Sequence, residues 1–108
     1  FAENSNGWWY CEDGKVQFEA SSVLKGIVKG EKAWWHVVKG EVIFDETVAK
    51  NKNGWWYIND GKVDFTFNGI ASNKNGSWLC QNGKVNFGYS GTYTKSGITY
   101  KIERGKVI

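Results

Sequence analysis

The chain has 108 residues, a length that suits a single domain. Aromatic residues make up 17% of it, with seven Trp, while Pro and Met are absent. The formal net charge of +3 comes from lysines spread along the sequence, and no apolar run approaches the roughly 18 residues that cross a bilayer. These features predict no membrane insertion and no nucleic-acid partner.

Five related segments follow one another along the chain, each with aromatic residues before a short turn and apolar residues after it. In order they read GWWYCEDGKVQF at 7–18, AWWHVVKGEVIF at 33–44, GWWYINDGKVDF at 54–65, GSWLCQNGKVNF at 76–87 and TYKIERGKVI at 99–108. Their second aromatic recurs at spacings of 26, 21, 22 and 22 residues. Such a period predicts tandem repeats, which we place at about 4–25, 26–48, 49–70, 71–93 and, as a cap, 94–108.

The third segment is the clearest β-hairpin. Asp60-Gly61 is a type I′ turn signal, because both central positions of that turn need positive φ. A two-residue loop places Ile58 opposite Val63 and Trp56 opposite Phe65. No helical period occurs anywhere. We therefore predict an all-β fold of about five tandem hairpins that form a β-solenoid-like array. The short apolar pairs that precede the polar connectors between hairpins, Val48-Ala49 and Ile70-Ala71, are expected to add a third strand.

Strand alternation divides each segment into two columns of side chains. The inward column is apolar in all four full repeats and is expected to form the core: Trp9, Cys11, Val16, Phe18; Trp35, Val37, Val42, Phe44; Trp56, Ile58, Val63, Phe65; Trp78, Cys80, Val85, Phe87. Cys11 and Cys80 are either two separate buried thiols or, if the first and fourth repeats meet, a disulfide.

The outward column is aromatic in three repeats and not in the last two. We predict that it is a ligand-binding surface, since rings stack on the C–H face of a pyranose while polar neighbours bind its hydroxyls. The candidate residues are the rings Trp8, Tyr10, Trp34, His36, Trp55 and Tyr57, and the carboxylates Glu19, Asp45 and Asp64, expected opposite Trp8, Trp34 and Tyr57. The alternative is that these rings pack against the connector of the adjacent repeat.

Catalysis is not expected, because shallow hairpins offer no deep cleft that would raise the pKa of one carboxyl. His36 is the single histidine, so residue counts argue against a Ser-His-Asp triad or a metal site. We predict no enzyme activity, no metal and no cofactor.

The units GWWY…DGKV at 54–63 and their copies resemble the aromatic hairpin repeats of bacterial cell-surface proteins, the group of choline-binding, glucan-binding and cell-wall-binding repeats. They are most similar to the GWWY…GKV variety of gut and rumen Firmicutes. The chain departs from choline-binding repeats because its paired tryptophans precede the turn, whereas Val63 and Phe65 follow it. The resemblance implies a coiled array of hairpins that anchors a protein to a surface without catalysis.

The function expected from the sequence is therefore a non-catalytic polysaccharide-binding module of a secreted or surface bacterial protein, extracellular and part of a larger multimodular protein. The ligand would be an extended glycan such as cellulose or another plant β-glucan. Two alternatives remain: a choline, teichoic-acid or peptidoglycan cell-wall anchor, and a structural spacer or protein-interaction repeat.

Overall fold

The computed structural model describes residues 1–108 and is all-β, as predicted, with sixteen strands in antiparallel hairpins. No helix is present that could cross a membrane. The strands are β1 (Ala2–Asn4), β2 (Gly7–Trp9), β3 (Cys11–Glu12), β4 (Lys15–Val16), β5 (Ser22–Val28), β6 (Glu31–Val38), β7 (Glu41–Val42), β8 (Thr47–Asn51), β9 (Gly54–Asn59), β10 (Lys62–Val63), β11 (Gly69–Asn73), β12 (Gly76–Gln81), β13 (Lys84–Val85), β14 (Gly91–Lys95), β15 (Ile98–Glu103) and β16 (Lys106–Val107).

The predicted turn at Asp60-Gly61 is confirmed. Both residues have positive φ, 53° and 84°, as a type I′ turn requires, and Val63 pairs with Ile58 in the expected register. The dipeptide at the same place in the other repeats also has positive φ at both residues: Asp13-Gly14, Lys39-Gly40, Asn82-Gly83 and Arg104-Gly105. Local turn chemistry therefore fixes one bend in every repeat.

A second hairpin in each repeat is longer than the one around this turn. Strands β8 and β9 form five residue pairs across Lys52-Asn53, whereas β9 and β10 form two. The predicted third strand is thus present as β8 and β11, and it contributes more pairs than the strand after the turn. The ladder ends at Val63, so Trp56 and Phe65 are not strand partners. Their rings instead pack edge-to-face, with centroids 5.6 Å apart.

Backbone hydrogen bonds join each repeat to the next. Lys84 at the start of β13 pairs with Trp56 of the preceding repeat, and the Tyr57 N–H donates to the Gly83 carbonyl oxygen at 2.7 Å. Equivalent bonds recur at His36 and Leu79. The result is an elongated array, 48 × 23 × 19 Å with a radius of gyration of 15.3 Å, where about 13 Å is expected for a compact chain of this length.

The core lies between successive repeats and uses both predicted columns. Val48 of β8 and Tyr57 of β9 pack with Cys80 and Val85 of the fourth repeat in one buried cluster. Tyr57 is only 6% exposed, so its prediction as a surface ring is wrong. The next repeat covers it, which supports the alternative that outward rings pack between repeats.

The four Phe side chains of the inward column are exposed rather than buried, so the prediction that they belong to the core is wrong. Their exposed fractions are 65% for Phe18, 38% for Phe44, 46% for Phe65 and 46% for Phe87. Strand alternation does not reach them, because the chain leaves the ladder at the end of the short strand that follows the type I′ turn, which is β10 in the third repeat. In the third repeat the Asp64 carboxylate accepts bonds from the N–H and hydroxyl of Thr66, which bends the backbone there.

Both cysteines are free thiols, which decides between the two interpretations left open. Cys80 is fully buried, and burial raises the pKa of its thiol to about 11. Cys11 is half-buried at the other end of the array.

Candidate functional site

Two similar surface grooves lie one repeat apart along the array. The first, the Trp34 groove, is lined by Ser22–Lys25, Trp34 and the turn residues Asn51 and Lys52 of the next repeat, and encloses about 390 Å³. The second, the Trp55 groove, encloses about 400 Å³. Its lining includes Ser21, Ser22, His36, Lys50, Trp55, Asn73 and Lys74. Each groove therefore offers one indole ring beside a lysine and the amide-bearing turn of the following repeat.

The cross-strand partner of each outward tryptophan explains the similarity. Lys25 lies opposite Trp34 and Lys50 opposite Trp55, and Ser72 and Ser77 occupy the same places in the fourth repeat. The two serine hydroxyls bond to each other at 2.7 Å. The fifth repeat has the hydroxyl pair Thr94 and Thr99 instead, at 2.9 Å. The indole–lysine pair thus ends after the third repeat.

Several rings already hold a lysine ammonium of the chain itself. The Lys50 Nζ lies 5.5 Å from the centroid of the Trp55 ring, and Lys84 and Lys106 stand at the same distance from Trp56 and Trp78. Contacts within about 6 Å are attractive because the ring face is electronegative. These faces can therefore accept a cation.

A model of the choline-binding repeat family matches residues 1–17, 45–64 and 66–86, together more than half of the chain. The chain belongs to the choline-binding repeat family. Comparison with curated proteins and with solved structures gave no significant match. Choline-binding repeats are in general binding modules rather than enzymes, and they are typical of cell-surface proteins. The predicted repeat group is thereby supported at the level of this family.

Within this choline-binding repeat array, several predicted site residues make internal contacts. The His36 Nδ1 lies 2.9 Å from an Asp45 carboxylate oxygen, so these two groups bind each other. Asp64 binds Thr66, and these hydrogen bonds hold the pKa of its carboxyl below the usual value. Asp64 does lie opposite Tyr57, whose carbonyl oxygen accepts the Asp64 N–H at 3.2 Å, whereas the strand partner of Trp34 is Lys25 and not Asp45. Neither carboxylate is a free sugar partner, because each binds a side chain of the chain itself. Glu19 is exposed, and the strand partner of Trp8 is Glu3 instead.

The predicted rings also differ in how accessible they are. Tyr57 stacks on Phe67 with centroids 3.9 Å apart and donates its hydroxyl to Glu46. Burial, reinforced by Glu46, raises the pKa of Tyr57 to about 12. Tyr10 is half-buried and donates to Glu12 at 2.7 Å. The Trp8 indole N–H is buried without a hydrogen-bond partner, and the ring packs against the buried cluster that contains Trp35 and Val37.

The lysines and asparagines of the grooves were missed by the sequence reading. The signal that could have found them is the polar connector between hairpins, because the same tripeptide, Asn-Lys-Asn, occurs at 51–53 and again at 73–75. The structure shows no cluster of three or more His, Cys, Asp or Glu side chains that could hold a metal ion.

Proposed function

We propose that the chain is a non-catalytic polysaccharide-binding module of a secreted or surface bacterial protein, with the Trp34 and Trp55 grooves as two equivalent sugar sites. The repetition of indole, lysine and Asn-Lys turn one repeat apart carries the proposal. A polymer of repeating sugars presents the same group at regular intervals, so equivalent sites along one array suit it. Each site alone would bind weakly, and linkage raises the effective concentration at the second.

The chemistry of each groove suits a pyranose. The half-buried indole of Trp55 offers an apolar surface for the sugar C–H face, and His36, Lys50 and Asn73 stand in the same groove. Ammonium and amide groups donate to hydroxyl oxygens, and amide oxygens accept from them. Trp8 is retained in the proposal as the corresponding position of the first repeat.

We further propose that the repeats coil as a solenoid-like array within a larger multimodular protein. Support comes from the elongated shape and from the resemblance to the GWWY…GKV repeats of gut and rumen Firmicutes. In this arrangement the module would hold a neighbouring domain against its glycan outside the cell.

The test replaces groove residues by the residues that occupy the equivalent positions in the fourth repeat. Lys50→Ser/Trp55→Ser reproduces the Ser72–Ser77 pair of the fourth repeat, and Lys25→Ser/Trp34→Ser does the same in the second. Pull-downs on insoluble cellulose, starch and purified bacterial wall should show retention of the native module on one polymer. Each double substitution should weaken it, and their combination should abolish it.

The matched control is Thr94→Ser/Thr99→Ser, which keeps a hydroxyl pair in the fifth repeat and should leave retention unchanged. Melting temperatures of all variants identify any loss that comes from unfolding. Retention of the native module on none of the polymers would refute the proposal and leave the spacer or protein-interaction interpretation.

A choline or cell-wall anchor is the second candidate, favoured by the family match and by the ring faces that hold lysine ammoniums. A quaternary ammonium would have to displace Lys50 from the face of Trp55. Millimolar choline should then raise the melting temperature of the native module, and more strongly that of Lys50→Gln, since the ring face is free there. An unchanged melting temperature in both proteins argues against this candidate.

A further inference from the structure

A second row of aromatic residues runs along the array outside the two grooves. In each full repeat the Phe that follows the short strand after the type I′ turn packs edge-to-face on a Trp of the same repeat. The pairs and their centroid distances are Trp9–Phe18 at 5.9 Å, Trp35–Phe44 at 6.2 Å, Trp56–Phe65 at 5.6 Å and Trp78–Phe87 at 5.9 Å. Because the Phe rings are exposed, the row forms an apolar stripe on the surface.

The next repeat places a charged side chain beside each pair. Glu41 pairs with Trp9 on the strand ladder, and Lys62 with Trp35, but Lys62 forms an ion pair with Glu31. Lys84 and Lys106 stand at the same place over Trp56 and Trp78. The two ion pairs of the structure involve neither of them. The C-terminal part of the stripe therefore carries two ammonium groups without a carboxylate partner.

One open groove joins these features. It encloses about 440 Å³ and is lined by Gln81, Asn82, Lys84, Val85, Asn86 and Phe87; we name it the Phe87 groove. The lining holds an exposed aromatic ring, an ammonium group and three side-chain amides, and no carboxylate. Lys106 lies over the Trp78 ring that packs against Phe87, so a second ammonium group lies next to this aromatic pair, while the Lys84 ammonium lies over Trp56.

We propose that the Phe87 groove binds an acidic sugar residue of an anionic polysaccharide. The Phe87 ring stacks on the C–H face of the sugar, and the Lys84 ammonium pairs with its carboxylate. The Asn86 amide donates to the Gln81 side chain at 2.7 Å, and the remaining N–H groups of the two amides donate to the sugar hydroxyls. The absence of carboxylates from the lining removes the repulsion that would exclude such a ligand. Trp34 and Trp55 line different grooves, so this site is independent of the proposed function.

The experiment measures the affinity of the native module for polygalacturonate and for its fully methyl-esterified form. The ester keeps the ring and the linkage but removes the charge, so it should bind much more weakly. Lys84→Gln/Lys106→Gln should lower the affinity for polygalacturonate by about tenfold or more, since a charged hydrogen-bond partner contributes that much to binding. Phe87→Ala should weaken binding of both polymers.

The matched control is Lys32→Gln/Lys101→Gln, which removes the same charge from two exposed lysines of the array. Equal losses in the two lysine pairs would mean unspecific charge attraction and would overturn the proposal. It would also be overturned if the native module does not bind polygalacturonate, or if the ester binds as tightly.

Lys50→Ser/Trp55→Ser separates this site from the Trp55 groove. It should leave the affinity for polygalacturonate unchanged while weakening retention on the polymer that holds the native module in the pull-down. A loss of polygalacturonate binding in this variant, with a melting temperature like that of the native module, would assign the acidic sugar to the Trp55 groove and overturn the proposal.

Discussion

The indole N–H of Trp56 donates to the Oδ1 atom of Asn51 at 3.0 Å. The same amide oxygen accepts the N–H of Asn53 in the turn, and the Asn51 amide nitrogen donates to the carbonyl oxygen of Val23 in β5, the strand that pairs with β6 of the neighbouring repeat. One side chain therefore ties together a core tryptophan, its own turn and the neighbouring repeat. Asn73 makes the same three bonds one repeat later, the one to Trp78 also at 3.0 Å.

Asn51→Ala should lower the free energy of unfolding by about 1–3 kcal/mol, because it leaves the Trp56 N–H and the Val23 carbonyl without their partner. Urea denaturation followed by tryptophan fluorescence measures the change. Asn53→Ala is the matched control, since its exposed side chain makes no hydrogen bond of this kind. Equal losses in both variants would show that the turn, and not the bond to Trp56, accounts for the effect.

Tyr57→Ala should lower the free energy of unfolding by about 3–5 kcal/mol, the cost of removing a buried aromatic side chain. Phe65→Ala should cost clearly less, because that ring is 46% exposed. Denaturant midpoints of the two variants test the corrected assignment of the columns. A larger loss in Phe65→Ala would restore the assignment made from strand alternation.

The raised pKa of Tyr57, about 12 against a normal value of 10, predicts a loss of stability at high pH. Between these two values the unfolded chain has released the phenolic proton and the folded chain still holds it, so stability falls as pH rises. The slope contributed by one such group is at most about 1.4 kcal/mol per pH unit. Urea midpoints at pH 9, 10 and 11 should fall less steeply in Tyr57→Phe. An unchanged pH dependence in that variant would contradict the prediction.

Gly83 and Gly97 have the same positive φ of 79° but different surroundings. A Cβ at Gly83 would overlap the backbone carbonyl of Asp64, whereas a Cβ at Gly97 would meet nothing within 4 Å. Gly97→Ala should therefore cost only the conformational penalty of a left-handed residue, about 1–2 kcal/mol. Gly83→Ala should cost more, because two repeats must also move apart. Thermal unfolding of both variants measures the difference, and equal costs would mean that the repeats are not in close contact there.

Much of the fold could be predicted because it depends on neighbours in sequence. The turn at Asp60-Gly61 needs two residues that tolerate positive φ, and the pairing of Ile58 with Val63 follows from the loop length. The number of repeats follows from the aromatic spacing. Strand alternation predicted that Trp34 and Trp55 point outward, and both line a surface groove.

The sequence alone thus determined an all-β array of repeats, the turn at Asp60-Gly61 and the outward direction of Trp34 and Trp55, since these depend on local backbone preference and strand alternation. Only the tertiary structure decided which side chains are covered. Tyr57 is buried because the fourth repeat lies on it, and Phe65 is exposed because the chain leaves the ladder at Val63. Alternation defines two faces, but the contact between repeats determines how much of each face meets solvent.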